Sequence, residues 1–347
     1  MPVNPLRHFS SPKLGTLLPV LPRRKIMSVS TGSGAAGATD PTDPGTAFKL
    51  VLSCPSGLPA SRVFVKFDPS YDRIPHPDVN LEESINEYGG HAIEYVDGSD
   101  QISSVCLHMG LTDYRTFVGT NLSPLWERFL VPSTVDSLVR QHTSSPLGNG
   151  AIVETSDGKI LVLQRSYNVG EFPGYFVFPG GHSEPQEIGI SAHLTDKGQT
   201  ESELLNQKAS MEMFDGIIRE VVEEIGLPAN SLVSLGSYII SGLTGWTYPN
   251  SSTLVVTCLI CVQTDPLFIG ISCRVVNVRP TAFFFLKCNL EAKEVCKLYS
   301  SAQDGYESTQ IFTVQRDDLK RMAVKMPGCH RGGYALYKLM MEATKDS

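Results

Sequence analysis

Residues 211–225 read MEMFDGIIREVVEEI, and no other stretch limits the possible fold as tightly. The apolar residues Phe214, Ile217, Ile218, Val221, Val222 and Ile225 recur at the three- and four-residue spacing of one helix face, and Gly226 followed by Pro228 marks a stop. The spacing therefore predicts a helix starting near Met211 with one side buried. Its other side carries Arg219, Glu220, Glu223 and Glu224. Glu220 and Glu224 are i,i+4 neighbours and Glu220 and Glu223 are i,i+3 neighbours, so the carboxylates converge on one face. Like charges this close repel, and a hard divalent cation taking oxygen ligands would relieve them. The plainer alternative is a solvated acidic face relieved by Arg219 and salt.

Around this helix the chain is rich in strand patterns. FKLVLSC and RVFVKF read as short strands on either side of a turn-like PSGLP. SYDRIPHPD reads as a Pro-punctuated loop, LEESINEYGGHAIEYV as a helix, and GLTDYRTFVGTN as a second loop. TSSPLGNG has the chemistry of a linker and places a domain boundary near residue 145. Beyond it AIVET, a Ser-Asp-Gly turn and KILVLQRS form a predicted hairpin. TLVVTCLICVQ, TAFFFLK and QIFTVQ read as strands, and a closing helix is predicted over 334–342. Strands interleaved with one strong helix imply an α/β layered domain.

Upstream of the helix, PGGHSEPQE places Gly180 and Gly181 at a strand end, where backbone can approach a ligand closely. Six residues past Gly181 lies Glu187, and further on comes REVVEEIGL. The pattern G-x5-E … R-E-U-x-E-E-x-G-U, U being aliphatic, resembles the Nudix box at every fixed position. The spacer departs: 31 residues separate Glu187 from Arg219 where the box has seven. An insertion of about 24 residues, over about 188–211, together with SYDRIP, GLTDYRTFVGTN and PGGHSEPQ, resembles the Nudix subfamily that hydrolyses UDP-glucose and UDP-galactose.

The resemblance implies an α/β/α sandwich with a mixed sheet over 146–342, with the box at 181–227. A smaller α+β substrate-recognition domain over 47–145 precedes it. It further implies that Glu220, Glu224 and Glu223, with the carbonyl of Gly181, hold Mg²⁺ or Mn²⁺, and that Glu187, Arg219 and Gly226 have structural roles, Glu187 pairing with Arg219. The general base is a box glutamate or Glu307, just before a strand. Arg165 and His182 are the candidate phosphate contacts. Asp72 and Arg73, with Thr112, Tyr114 and Arg115, are the candidates for nucleoside recognition. A Pro-rich domain interface is the competing explanation for these five. The implied reaction is Mg²⁺-dependent hydrolysis of a UDP-sugar to UMP and hexose 1-phosphate. The alternatives are a Nudix hydrolase acting on ADP-ribose or a CoA derivative, and a catalytically weak nucleotide-sugar binding protein.

Charge and cysteine content narrow the partners. A formal charge of −7 argues against nucleic acid and anionic membranes, leaving a small nucleotide-sugar substrate as the expected partner. Part of the acidic excess is local, with ten acidic and three basic residues between His182 and Glu224. No apolar run reaches the roughly 18 residues of a spanning helix. Eight scattered cysteines without a disulfide pattern favour the cytoplasm, and Cys258-x2-Cys261 lacks a second half-site and reads as structural. Residues 1–46, Pro/Ser/Gly/Ala-rich with early basic residues, are expected to be a disordered leader or an organelle transit segment. Residues 236–268 are longer than the subfamily pattern and are expected to be an unusual insertion, with a retained intron as the alternative.

Overall fold

Sheet strands that are apolar on both faces need a layer on each side, and the chain supplies both. The computed structural model describes residues 25–28, 44–85, 91–101, 104–132, 140–190, 199–232, 236–237, 261–262, 266–300 and 308–345. Strands β1 (Lys25–Ser28), β2 (Phe48–Leu58) and β3 (Val63–Phe67) precede helix α1 (Val79–Glu83), strands β4 (His91–Gln101) and β5 (Ser104–Asp113), and helix α2 (Tyr114–Gly119). Then β6 (Gly148–Glu154), β7 (Lys159–Arg165) and β8 (Phe176–Val177) lead into the long helix α3 (Gln199–Ile225). Strands β9 (Gly236–Ser237), β10 (Cys261–Val262), β11 (Leu267–Arg274) and β12 (Pro280–Lys287) follow, then helix α4 (Ala292–Tyr299), strand β13 (Ser308–Gln315) and helices α5 (Leu319–Ala323) and α6 (Gly328–Ala343).

The large sheet runs β1-β13-β7-β6-β12-β11-β2 with β8 beside β7. It is mixed: β6 and β12 are parallel, as are β1 and β13, and the other neighbours are antiparallel. Alternation along β12 shows how it is covered. Ala282, Phe284 and Leu286 share one core with Phe214, Ile217 and Val221 of α3, while Phe283 and Phe285 share the other with Leu336, Tyr337 and Met340 of α6. Phe214 and Phe284 meet edge to face, 5.1 Å between centroids. The architecture is the expected α/β/α sandwich. None of the described helices is long and apolar enough to cross a membrane.

A second sheet, β3-β5-β4, packs on the far side of α3. The contact is made by the part of α3 that precedes Met211: Ser210 Oγ donates to the Val63 carbonyl at 2.5 Å, and Asn206 Oδ1 accepts from the Phe67 amide at 2.8 Å. The helix thus begins at Gln199, twelve residues earlier than the spacing predicts, and the spacer's second half lengthens the helix instead of forming a loop.

Several expectations are corrected. Among the described residues of LEESINEYGGHAIEYV only the first three are helical, as the end of Val79–Glu83, and residues 86–90 lie outside the described residues. His91–Gln101 is a strand paired antiparallel with β5, which supplies the backbone partners that override helix propensity. GLTDYRTFVGTN is the end of β5 followed by α2, started by Asp113, whose carboxylate accepts the Thr116 amide at 2.7 Å. TSSPLGNG is no solvent-facing linker. Its small residues let it thread through the interior, where Ser144 Oγ meets Thr112 Oγ1 at 2.6 Å and the Ser144 amide donates to Thr120 Oγ1. β2 pairs with β11, so residues 48–58 belong to the large sheet and not to the N-terminal unit. Within 1–46, Lys25–Ser28 lies parallel to β13 and Pro44–Thr46 forms a 3-10 turn. Of 236–268, residues 238–260 and 263–265 fall outside the described residues, and Cys258 with them.

His330 of α6 sits between Phe178 and Phe283 and accepts the Phe178 amide at Nδ1, 3.2 Å away. Burial, and then the charges of Arg165, Arg279 and Arg274, push its pKa down to about 3. The neutral ring's contribution is therefore complete above the unfolded value near 6.5 and is lost as pH falls toward the folded one. Unfolding free energy measured against pH should fall more steeply in the wild type than in His330→Gln, by up to about 1.4 kcal/mol per pH unit between pH 6 and 4. Parallel curves would show that His330 is not the group responsible.

Candidate metal and phosphate site

The loop after β8 is held along β6 almost as an added strand. The Ala151 amide donates to the Pro179 carbonyl at 2.8 Å and the Asn149 amide to the Gly181 carbonyl at 2.9 Å, and Asn149 Nδ2 reaches Ser183 Oγ at 2.9 Å. Both glycines are needed for this approach. Gly180 has φ +151°, and a Cβ there would fall 2.0 Å from the Asn149 carbonyl; one on Gly181 would fall 2.0 Å from Glu220 Oε1.

Across the loop, α3 presents a ladder of carboxylates to alternate amides. Glu224 Oε2 accepts from Gly180 at 2.8 Å, Glu220 Oε1 from His182 at 3.3 Å, and Glu212 Oε1 from Glu184 at 3.0 Å. Period-two amides on an extended loop meet carboxylates along one helix side. Glu212 also takes the Arg219 guanidinium at 2.7 Å. This corrects the expected Glu187–Arg219 pair: the spacer moves Glu187 onto an exposed turn, and Glu212, already on the helix, is the hydrogen-bonded partner. Glu187 still adds to the field that raises Arg219. Gly226, at φ +80°, ends the helix just past the ladder.

The ladder carries electrostatic strain. Burial pushes the Glu220 carboxyl up to about 7; Glu223 and Glu184 push the same way, while the His182 amide and Arg219 oppose them. Burial also raises Glu212, against the Glu184 amide and Arg219. Among the described residues no three His, Cys, Asp or Glu side chains are arranged so that they could hold a metal ion as they stand. Glu220, Glu223 and Glu224 nevertheless offer donors of the kind a hard cation takes, and the Gly181 carbonyl, which accepts the Asn149 amide, keeps a second lone pair. The set is all oxygen, it is crowded with negative charge, and Gly181 lies against the Glu220 carboxylate.

Beside the loop lies a group that sequence reasoning missed. Glu171 accepts from Arg274 Nη2 at 2.7 Å and from Arg279 Nη1 at 3.1 Å, and its carbonyl takes Arg165 Nε at 2.9 Å. Arg279 also donates to His182 Nε2. Burial and then Arg279 push His182 down to about 3, so it is a neutral acceptor with that nitrogen occupied. Arg165 thus lies in a cationic cluster, as a phosphate contact requires.

The proposed nucleoside residues have other duties. Asp72 Oδ1 accepts the Leu111 amide, Arg73 pairs with Glu82 and the His142 carbonyl, Thr112 meets Ser144, and Arg115 donates to the Ile85 carbonyl. Of the five only Tyr114, 59% exposed, presents most of its surface outward. From the same helix Phe117 lies 5.4 Å from the Arg279 guanidinium, and Asn121 Nδ2 donates to the Asn277 carbonyl at 2.7 Å. Glu307 lies outside the described residues; its neighbour Ser308 pairs in register with Arg165.

Glu220→Gln and Glu224→Gln should each abolish the rise in melting temperature that Mg²⁺ or Mn²⁺ gives the wild type. In the metal-free protein at pH 8, Glu220→Gln should melt roughly 2–4 °C higher, because a crowded charge is gone. An undiminished metal response in both variants would place the ion elsewhere.

No family model matches the chain. It is 50% identical to Nudix hydrolase 9 of Arabidopsis thaliana over 323 residues, 87% of this chain and 94% of that protein. It is 28% identical over 79% of its length to the uridine diphosphate glucose pyrophosphatase NUDT22 of Mus musculus, covering 83% of that protein. Among solved structures it is similar to the MutT protein from Methanosarcina mazei Go1, at 14% identity and TM-score 0.28, over 57% of this chain and 94% of that one. The half-identical relative, matched over nearly its whole length, identifies the chain as a member of the Nudix hydrolases.

Proposed function

We propose that the chain hydrolyses the diphosphate of UDP-glucose or UDP-galactose, with Mg²⁺ or Mn²⁺ as the cofactor, giving UMP and hexose 1-phosphate. The observation that carries this is the carboxylate ladder of Glu212, Glu220 and Glu224 on the glycine loop. The likeness to proteins named uridine diphosphate glucose pyrophosphatase supports the choice of substrate.

Glu220, Glu223, Glu224 and the Gly181 carbonyl are the residues that would hold the ion. When bound, it neutralises the diphosphate and lowers the pKa of water. Glu212 and Arg219 touch no substrate in this scheme and keep the loop against the helix. Arg165 faces the phosphates as a fixed charge. Water oxygen attacks one phosphorus, the bridging P–O bond breaks, and the bridging oxygen leaves on the other phosphate. The water proton passes to a glutamate, one of the box on α3 or Glu307 before β13, and a Glu307→Gln variant that loses turnover while keeping the metal-induced rise in melting temperature assigns the base to Glu307. Tyr114 is the most exposed of the five residues offered for nucleoside recognition.

Incubating the purified chain with UDP-glucose and UDP-galactose, with and without Mg²⁺, should give UMP by mass spectrometry only when the metal is present. Glu220→Gln and Glu224→Gln should each lower kcat by about 10²-fold or more. Cleavage of ADP-ribose or CoA with both UDP-sugars untouched would sink the substrate assignment. Tight UDP-glucose binding without turnover would sink the enzymatic one.

A further inference from the structure

The grouping of Arg165, Arg274 and Arg279 around Glu171 has a charge imbalance that the ladder and the fold leave unexplained. Arg274 is 1% exposed, and the Arg279 side chain is 19% exposed. Glu171 and, more weakly, Cys329 favour the Arg279 cation while Arg274 and Arg165 oppose it, and among the described residues the one carboxylate bonded within the cluster is that of Glu171. The two rings that touch the cluster's surroundings add no compensation. Neither imidazole, of His182 or of His330, carries a negative charge to offset the guanidinium groups. Among the described residues Arg279 Nε is buried without a hydrogen-bond partner, and the Arg165 guanidinium donates from Nε to the Glu171 backbone carbonyl. Cations gathered and partly desolvated in this way are costly unless an anion joins them.

Glu171 occupies the position such an anion would take. Its two carboxylate oxygens are shared between Arg274 and Arg279, in the way that two oxygens of a phosphoryl group are shared by planar forks. The segment that delivers it is strained: the next residue, Phe172, has φ +48°, a region that aromatic residues rarely adopt, and its ring lies 4.8 Å from the Arg274 guanidinium. Arg279 meanwhile touches the side chain of His182, whose backbone amide is on Glu220. The cluster therefore borders the metal-site loop directly.

We propose that Arg165 and Arg279, backed by buried Arg274, form a phosphoryl-anion subsite beside the metal loop, and that the Glu171 carboxylate is an internal competitor which substrate phosphate displaces. In the diphosphate reading above, on which this rests, the phosphate turned away from the Glu220–Glu224 carboxylates lies in this subsite. The free ligand class is a phosphate monoester or inorganic phosphate.

The test uses the full chain without divalent metal at low ionic strength, with inorganic phosphate as the probe and calorimetry as the readout. Because the probe has neither base nor sugar, the result is independent of whether UDP-sugars are the substrates. Arg279→Gln should weaken phosphate binding by about tenfold or more and Arg165→Gln severalfold, while Glu171→Gln should strengthen it severalfold, all with native circular dichroism. If Glu171→Gln does not fold, Glu171→Asp, which keeps the charge but shortens its reach, should strengthen binding instead. Wild-type affinity in folded Arg279→Gln and Arg165→Gln would overturn the subsite. No gain in the folded Glu171 variant would overturn the competitor.

Discussion

Three carboxylates of one helix each hold an amide of the glycine loop, and much of the rest of the molecule is arranged to keep them there. Glu224, Glu220 and Glu212 bind the amides of Gly180, His182 and Glu184. The loop is fixed on its other edge by β6, so helix, loop and sheet form one unit. Hydrogen bonds to a charged acceptor are among the stronger ones available to a protein, and here they offset repulsion among the same acceptors. The balance is incomplete, as the raised Glu220 carboxyl shows. A site that binds a cation is expected to be left short of positive charge, and the shortage is local. Through His182, which bonds both Glu220 and Arg279, the loop adjoins the arginine group, where three guanidinium groups surround Glu171. A diphosphate with its metal ion would satisfy both.

The long spacer finds its physical explanation in the same helix. At about 1.5 Å per residue a 27-residue helix is roughly 40 Å long, more than the sheet layer needs. Its surplus carries Asn206, Ala209 and Ser210 to the second sheet, where Val63, Val65 and Phe67 enter the same core as Met213 and Ile217. Residues that interrupt the box are among those that join the smaller sheet to the helix carrying the carboxylate ladder.

The acidic face of α3, the glycine pair and the two-faced strands around Phe283 and Phe284 were legible in the sequence because each follows from a period or from a residue with special backbone freedom. The Glu212–Arg219 pair was not, since the spacer hides that Glu212 lies in the helix. Nothing local marks Arg274 as buried; its partner is Glu171, more than a hundred positions away in the chain. His91–Gln101 became a strand through pairing with β5, a tertiary effect that outweighs local preference. The motif residues Asp72, Arg73 and Thr112 were read as ligand contacts, yet each is spent on internal bonds. Distinctive polar loops can mark an interface as readily as a binding pocket.

The pairing of β2 with β11 has a consequence for how the two units move. Since β2 lies at one edge of the large sheet and β6 near its middle, the smaller sheet is a guest threaded between two strands of its host. It leaves and re-enters the same scaffold, tethered at two points, unlike a bead on a linker that can swing away. The smaller sheet is thereby denied most rigid-body freedom, and its distance from the glycine loop was set when the chain folded.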